Sequence, residues 1–553
     1  MRLRSLFLVL IAVTVVCLSL AGGGIYWVLA QSPLGLKDGG TKLMPEGAMF
    51  VPAQAPAMVS LLVNPDRLEA LLQLETPLSQ RRRSRKELDE IKAGLLAKTN
   101  LNYYADVKGW LGDEITVAMT SLDYDRNPEN GRKAGYLLVV SAKDGESAKE
   151  FLQLFFSRSA IAGDADLVFE PYQGVNLIYT RSRQTEETSL ASAVVGDRYV
   201  LFANHPKVLR DAINNVQATS INLAHSENYK AALATIKMPR ISVAYANLLA
   251  LTKDLEGKPT EPTPTLTLAF GLDRQGLLAQ SALSGVVKSE TPQPLLSEPI
   301  AALSYLPSQT ILTAAGVDLQ GFWQQILTGF GENSPISDLF VGALNQWQDP
   351  WGLNLPEDIF SWVRGEYALS LLPNDSPGET QWLFVSQRDE EDRDKIEANL
   401  AHLDDLAKEQ GLNIGNVTLG EQPVKIWAEF IASGGKIDAD VRGVYTMLDD
   451  YQLISNSLDA IAKATNPNFQ SLAESATFQE AIAPLPSENN GYLYINWRKV
   501  RPIFEEKFPG LRLLELAGQP LFDRLHSLTL TSIGNQEGVS RATMLLKMGL
   551  KDR

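Results

Sequence analysis

Leu101-Asn102, Asp106, Trp110 and Glu114 reappear as Leu353-Asn354, Asp358, Trp362 and Glu366, each displaced by 252 positions without a gap. Five identities within fourteen positions are hard to obtain by chance, and an internal repeat constrains a fold more than any single element, because one arrangement must serve twice. Further matches follow in the same order. Tyr136-Leu137 and Val139 correspond to Trp382-Leu383 and Val385, and Gln173, Val175 and Leu177 to Gln422, Val424 and Ile426. Asp197, Tyr199, Leu201 and Asn204 correspond to Asp449, Tyr451, Leu453 and Asn456, while Ser226, Tyr229, Leu233, Tyr245 and Asn247 correspond to Ser475, Phe478, Ile482, Tyr494 and Asn496. Offsets that drift by a few residues mean small loop insertions in a shared fold.

The repeat predicts two tandem copies, 45–287 and 298–550, joined by a linker at 288–297 whose start, Lys288-Ser289-Glu290-Thr291-Pro292-Gln293-Pro294, is polar and Pro-bearing. A second Pro-rich stretch, 256–264, reads as a loop inside the first copy. Short β-branched and aromatic runs at 175–179, 199–202 and 241–245 read as strands. Ala148, Phe151, Leu152 and Phe155 fall at helical spacing behind Asp144 as N-cap, and Ile396, Leu400, Leu403 and Ala407 form the equivalent stripe. That second helix starts with Asp389-Glu390-Glu391-Asp392 at the positive end of its dipole, and Gly411 can supply its closing turn. Asn204 and Asn456 are expected to cap helices beginning at His205 and Ser457. Strands and helices interleave without regular alternation, so the expected class is α+β, each copy a mostly antiparallel sheet covered by helices.

Residues 6–29 carry no charge. As a helix this run is about 36 Å long, enough to cross the roughly 30 Å hydrocarbon core. Arg2 and Arg4 precede it and the next basic residue is Lys37, which keeps a cytoplasmic end at 1–5, an anchor at 6–30, and everything later outside. Tyr26 and Trp27 would then lie at the outer interface. A cleaved secretory signal is the competing reading, because Val28-Leu29-Ala30 offers small residues; the apolar run exceeds the ~7–15 residues of a signal core. Cys17 lacks the small residue that lipidation requires just before it.

Among 553 residues, 50 basic against 65 acidic side chains give a net charge of −15, which argues against a nucleic-acid partner. A single Cys forbids internal disulfides, and four scattered His argue against a His/Cys metal site, so no metal or cofactor is expected. G-x-S-x-G, H-E-x-x-H, C-x-x-C and Walker patterns are absent, and Gly329-Phe330-Gly331 stops short of a dinucleotide fingerprint.

The repeated positions Asp106, Trp110 and Glu114, with Asp358, Trp362 and Glu366, are the most site-like constellation; an aromatic ring and a carboxylate can shape a polar pocket. One helical turn separates Asp106 from Trp110, and Glu114 opens a β-branched run, so a helix-to-strand corner accounts for them without catalysis and no catalytic residue is assigned. Arg81, Arg82, Arg83, Arg85 and Lys86 form the one dense basic run, ahead of a stripe of Leu88, Ile91, Leu95 and Leu96. They could contact anionic lipid headgroups or an acidic partner. His205, ahead of Pro206, reads as a surface or capping residue.

The layout of a short basic end, one apolar segment, Val51-Pro52-Ala53, Trp110-Leu111-Gly112-Asp113-Glu114, and the run from Val195 to Asn204 resembles an uncharacterised, domain-of-unknown-function family of membrane-anchored proteins found mainly in cyanobacteria. The resemblance covers nearly the whole chain. It implies a setting on the periplasmic or thylakoid-lumen side of a membrane, with no activity or site residues. The leading expectation is a non-enzymatic, membrane-tethered binding or assembly protein whose two copies form a groove for a protein partner. A carrier or sensor of an apolar small molecule or lipid, and a hydrolase using Glu114 and Glu366, are the alternatives.

Overall fold

A computed structural model describes residues 40–64, 66, 102–162, 165–182, 188–251, 263–285, 295–328, 341, 354–373, 380–388, 393–433, 436–466, 468–507, 525–536 and 538–548. The chain divides into two compact units. The expected anchor at 6–30, the basic run with the stripe behind it, the acidic start at 389–392, residues 256–262 of the Pro-rich loop and residues 288–294 of the linker lie outside the described residues. No helix among the described residues is long and apolar enough to cross a membrane.

Among the described residues the first unit contains ten strands: β1 Ala57–Leu61, β2 Leu111–Ser121, β3 Gly135–Ala142, β4 Ala165–Tyr172, β5 Val175–Ser182, β6 Thr188–Val195, β7 Tyr199–Ala203, β8 Ser242–Asn247, β9 Thr265–Asp273 and β10 Gly276–Ser284. They pair antiparallel throughout, in the order β4-β5-β6-β7-β3-β2-β1-β8-β9-β10. The β4–β5 turn needs left-handed backbone at both of its residues, Gln173 (φ 49°) and Gly174 (φ 78°), which is the twist a two-residue hairpin favours.

The second unit contains β11 Leu312–Val317, β12 Glu366–Pro373, β13 Thr380–Gln387, β14 Asn413–Leu419, β15 Gln422–Ser433, β16 Lys436–Leu448, β17 Tyr451–Ser455, β18 Gly491–Asn496, β19 Leu525–Gln536 and β20 Val539–Met548. Their order is β14-β15-β16-β17-β13-β12-β11-β18-β19-β20, again antiparallel, which is the order of the first unit position for position. Isolated bridges agree as well: Thr41–Arg240 and Pro52–Asn222 in one unit match Leu296–Asn489 and Pro307–Ser471 in the other. The class is therefore α+β, with mostly antiparallel sheet covered by helices.

Helices close the faces. In the first unit α1, Gly145–Ala162, lies on β4 to β6, α2, Pro206–Gln217, on β3, β6 and β7, and α3, Glu227–Thr235, on β9 and β10. Asp144 caps α1 as expected, its carboxylate accepting from the amides of Glu146 and Ser147 at 3.1 and 3.3 Å. The buried stripe is Ala148, Phe151, Leu152 and Phe156, with Phe155 only half-buried, so the apolar face is set one position further round than Phe155 suggests. It packs with Trp110, Leu111, Ile178 and Val200 into one core cluster, where each large side chain contributes about 1.5–3 kcal/mol of burial.

In the second unit α4, Leu319–Thr328, precedes α5, Arg393–Glu409, whose Ile396, Leu400, Leu403 and Ala407 are all buried, the first three in the cluster that holds Trp362. Gly411 takes φ +83° at the end of α5, and the Leu412 amide donates to the Ala407 carbonyl. α6, Leu458–Thr465, covers β13, β16 and β17, and α7, Ala476–Ile482, lies on β19 and β20.

Asn204 and Asn456 do not cap helices. Asn204 Oδ1 accepts from the Tyr136 amide at 2.8 Å and its Nδ2 donates to the Ala134 carbonyl, while Asn456 Oδ1 accepts from the Trp382 amide at 2.9 Å. Each ties the end of its strand to the adjacent strand, because it sits one residue beyond the last ladder pair, Leu137 with Ala203 or Leu383 with Ser455, and meets the next amide of that neighbour. His205 instead caps α2, its Nδ1 accepting from the Lys207 amide at 3.1 Å.

Candidate functional site

The repeated Asp and Trp positions build the same corner twice. The Asn102 amide donates to Asp106 Oδ2 at 2.8 Å, and Asn102 Oδ1 accepts from the amides of Tyr104 and Ala105, which closes the π-helical turn Tyr103–Val107. The Asn354 amide donates to Asp358 Oδ2 at 2.7 Å, at the start of the helical turn Leu355–Asp358. Trp110 Nε1 then donates to the Asp106 carbonyl at 2.9 Å and Trp362 Nε1 to the Asp358 carbonyl at 2.7 Å. Both indoles are buried, Trp110 against Phe151 with ring centroids 5.1 Å apart. Their one polar atom is thus satisfied by the corner they pack on.

Glu114 and Glu366 close a different end. Glu114 Oε2 accepts from the Glu46 amide at 2.8 Å, while its Oε1 accepts from the Gly47 amide at 2.6 Å and from Thr116 Oγ1 at 2.9 Å. These are the first amides of the 3₁₀ turn Glu46–Phe50. Glu366 Oε2 accepts from the Ala302 amide at 3.0 Å, in the 3₁₀ turn Ala301–Tyr305, and from the Tyr451 hydroxyl at 2.8 Å. Burial pushes the Glu114 pKa above its ordinary value, against the pull of the Gly47 and Glu46 amides and of Thr116.

One carboxylate distinguishes the first unit. Glu46 receives the Tyr199 hydroxyl at 2.5 Å and the Arg198 guanidinium at 3.0 Å, whereas the matching Tyr451 goes directly to Glu366. Burial, followed by its acidic partner, raises the pKa of each tyrosine. General acid–base chemistry needs a carboxyl oxygen free to meet a substrate. Both Glu114 oxygens are already engaged by the protein's own donors.

A cluster that the sequence did not single out sits in the second unit. Asp404 on α5 accepts from Lys425 Nζ at 2.7 Å, Trp427 Nε1 at 2.7 Å and the Tyr445 hydroxyl at 3.2 Å. Hydrogen bonding to Asp404 holds the Lys425 pKa above its ordinary value, and the ammonium also lies 5.4 Å from the Tyr445 ring centroid. At the positions matching Lys425 and Trp427 the first unit has Asn176 and Ile178, so it lacks both of these donors. The alternation Lys425-x-Trp427 is visible in sequence, but the carboxylate it meets lies 21 residues upstream.

Arg81, Arg82, Arg83, Arg85 and Lys86 lie outside the described residues, as does Cys17. His205 stacks on Tyr124 with centroids 4.5 Å apart, and burial holds its pKa below the usual imidazole value. Among the described residues no group of three or more His, Cys, Asp or Glu is placed to hold a metal ion.

A family model described as "Protein of unknown function (DUF3352)" matches residues 10–548. No curated protein matches the chain. Among solved structures, crystal form III of TP0453 aligns with a TM-score of 0.23 at 12% identity, covering 45% of this chain and 82% of that one. Crystal form I of the same protein aligns at 0.22 and 11%, with the same coverage.

Proposed function

The chain belongs to the family described as Protein of unknown function (DUF3352), and on that premise we propose a non-enzymatic binding or assembly protein, built from two copies of one α+β module and tethered to a membrane. The duplication is supported by the common strand order and by the paired hydrogen bonds of Asp106 with Trp110 and Asp358 with Trp362. The tether is supported by the uncharged run at 6–29 behind Arg2 and Arg4, which would hold the body on the periplasmic or thylakoid-lumen side.

The observation that carries the non-enzymatic reading is the engagement of Glu114, the most site-like carboxylate of the repeat, by its own 3₁₀ turn. A carboxylate fixed by two amides and a threonine is a cap, and a cap is retained because the fold needs it. The reading is tested by cross-linking the full chain in intact membranes and purifying it in detergent. One partner recovered at fixed stoichiometry, and recovered equally by Glu114→Gln with Glu366→Gln, is the expected result. An intact chain that recovers none would overturn the binding role, and a hydrolytic activity abolished in the doubly substituted chain would reinstate the carboxylate enzyme. A reporter fused after Arg553 should be active only outside the cytoplasm.

A further inference from the structure

We infer that the hairpin of β15 and β16 is an arm of the second unit that enters a lipid surface, with Phe430 on one face and Ile431 on the other. β14 pairs with β15 only as far as Asn413 opposite Ala428, and β17 pairs with β16 only from Val444 to Leu448. The β15–β16 ladder continues beyond both, through Glu429 opposite Asp440 and Phe430 opposite Ala439 to Ser433 opposite Lys436. This end of the sheet is therefore two-stranded among the described residues, and Phe430 and Ile431 lie on it 56% and 46% exposed. Successive strand residues point to opposite faces, so each face of the arm exposes an apolar side chain.

The first unit shows that the fold does not need an apolar arm. On the alignment of Val175 with Val424, Phe430 and Ile431 correspond to Arg181 and Ser182, and Arg181 is exposed on the β5–β6 ladder opposite Thr188. β5 and β6 have 8 residues each, where β15 and β16 have 12 and 13. The apolar pair and the longer ribbon thus occur together in one copy. A two-stranded ribbon without a covering layer is marginal in water, so an apolar neighbour is expected at this end.

Geometry selects lipid. A protein that docks on a ribbon covers one face, whereas a bilayer surface surrounds a tip on both. A strand added along the edge would find little template, because only alternate backbone groups of Glu429 to Ser433 point outward. Polar groups collect behind the tip: Arg442 pairs with Glu429 at 3.3 Å and with Asp440 at 3.1 Å, which offsets the repulsion of two carboxylates facing each other across the ladder. Between Phe430 and Ala439 the only charged residues are Lys436 and Asp438, one of each sign. From Glu429 to Ser433 the strand rises about 13 Å, which suffices for the ~5–10 Å that an interfacial element sinks into a bilayer.

The inference rests on the tethered reading only for bringing the arm to a membrane, and its test separates the two. The full chain with Cys17→Ser, which removes its single Cys, receives one cysteine at a time by Phe430→Cys, Ile431→Cys or Arg181→Cys. Each carries a solvent-sensitive fluorophore and is reconstituted into phosphatidylcholine–phosphatidylglycerol vesicles, with or without lipids spin-labelled near the headgroup. Flotation of the vesicles reports the tether. Labels at positions 430 and 431 should both shift to the blue and lose about half or more of their emission to the spin-labelled lipid, while the label at 181 should do neither. Phe430→Glu should return the label at 431 to water, reducing its lipid quenching by about half or more. Floating vesicles without lipid quenching at both 430 and 431 would overturn the arm and leave the tether standing. Protection from water at one position only, unquenched by lipid, would assign that face to a protein neighbour or a second copy and overturn the arm as well; a chain that does not float would overturn both readings.

Discussion

Trp362 reaches back to Asp358, its Nε1 donating to the backbone carbonyl at 2.7 Å, and Trp110 repeats the bond with Asp106 at 2.9 Å. Each bond fixes the angle at which a helical turn enters a strand, so ring and turn are held as one piece. Replacing Trp110 by Ala should cost about 3–5 kcal/mol through the cavity left beside Phe151. Trp110→Phe keeps most of the apolar contact but leaves the Asp106 carbonyl without this donor, and should cost about 1–3 kcal/mol. Denaturant midpoints of the full chain measure both, and a Phe variant as stable as the native chain would show that the bond does not fix the corner.

Glu114 carries a pH signature. Its folded pKa lies above the ordinary 4.5, so between 4.5 and the folded value the native chain binds more protons than the unfolded one. The contribution of this group to stability therefore falls as pH rises through that window. Relative to Glu114→Gln, which lacks the titration and loses a cap of about 1 kcal/mol, the native chain should gain stability on acidification from about pH 7 towards pH 4. Urea midpoints of the two chains across that range give the sign directly; a gap that narrows on acidification would contradict the assignment of burial as the dominant effect.

These features were unequally legible in the sequence. The repeat and the α5 stripe of Ile396, Leu400, Leu403 and Ala407 could be read because both are local patterns. The strand order could not, because β3 enters between β2 and β7 and β8 joins β1 through pairings that span long stretches of chain. The role of Asn204 is not legible for a physical reason: an Asn after a strand can serve the next helix or the neighbouring strand, and only the placement of Tyr136 decides between them. Glu114 was recognised as a repeated position, but its partners Glu46 and Gly47 lie 68 and 67 residues upstream.

His205 should make the chain less stable in mild acid. Its Nδ1 accepts from the Lys207 amide, which requires the unprotonated ring, and its folded pKa lies below the ordinary 6.5. The unfolded chain binds the proton more readily, so stability supplied by this cap is complete above about pH 6.5 and is lost as pH falls through the folded pKa. His205→Asn retains an acceptor without the titration, whereas His205→Ala should cost about 1 kcal/mol near neutrality. Thermal unfolding between about pH 7.5 and pH 5 should show a shallower decline for the Asn chain than for the native one; parallel curves would assign the acid sensitivity elsewhere.

Gly443 should be as restrictive as the charged members of the Asp404 cluster. It lies opposite Trp427 in the β15–β16 ladder, and a Cβ there would fall 2.2 Å from Trp427 Cε3. Gly443→Ala must displace the indole that donates to Asp404 at 2.7 Å, an overpacking loss of about 1–3 kcal/mol. Asp404→Asn removes the charge that pairs with Lys425 and leaves one acceptor oxygen for three donors, and should cost about 2–3 kcal/mol. The Lys425 pKa is raised in the folded chain, so its contribution is complete below the ordinary 10.5 and is lost as pH rises through the folded value; the Asn variant should lack that alkaline component. Because both substitutions act on the Trp427–Asp404 bond, the double variant should lose less stability than the two single losses added together. A strictly additive double variant would mean that Gly443 serves the ladder alone and leaves the carboxylate cluster untouched.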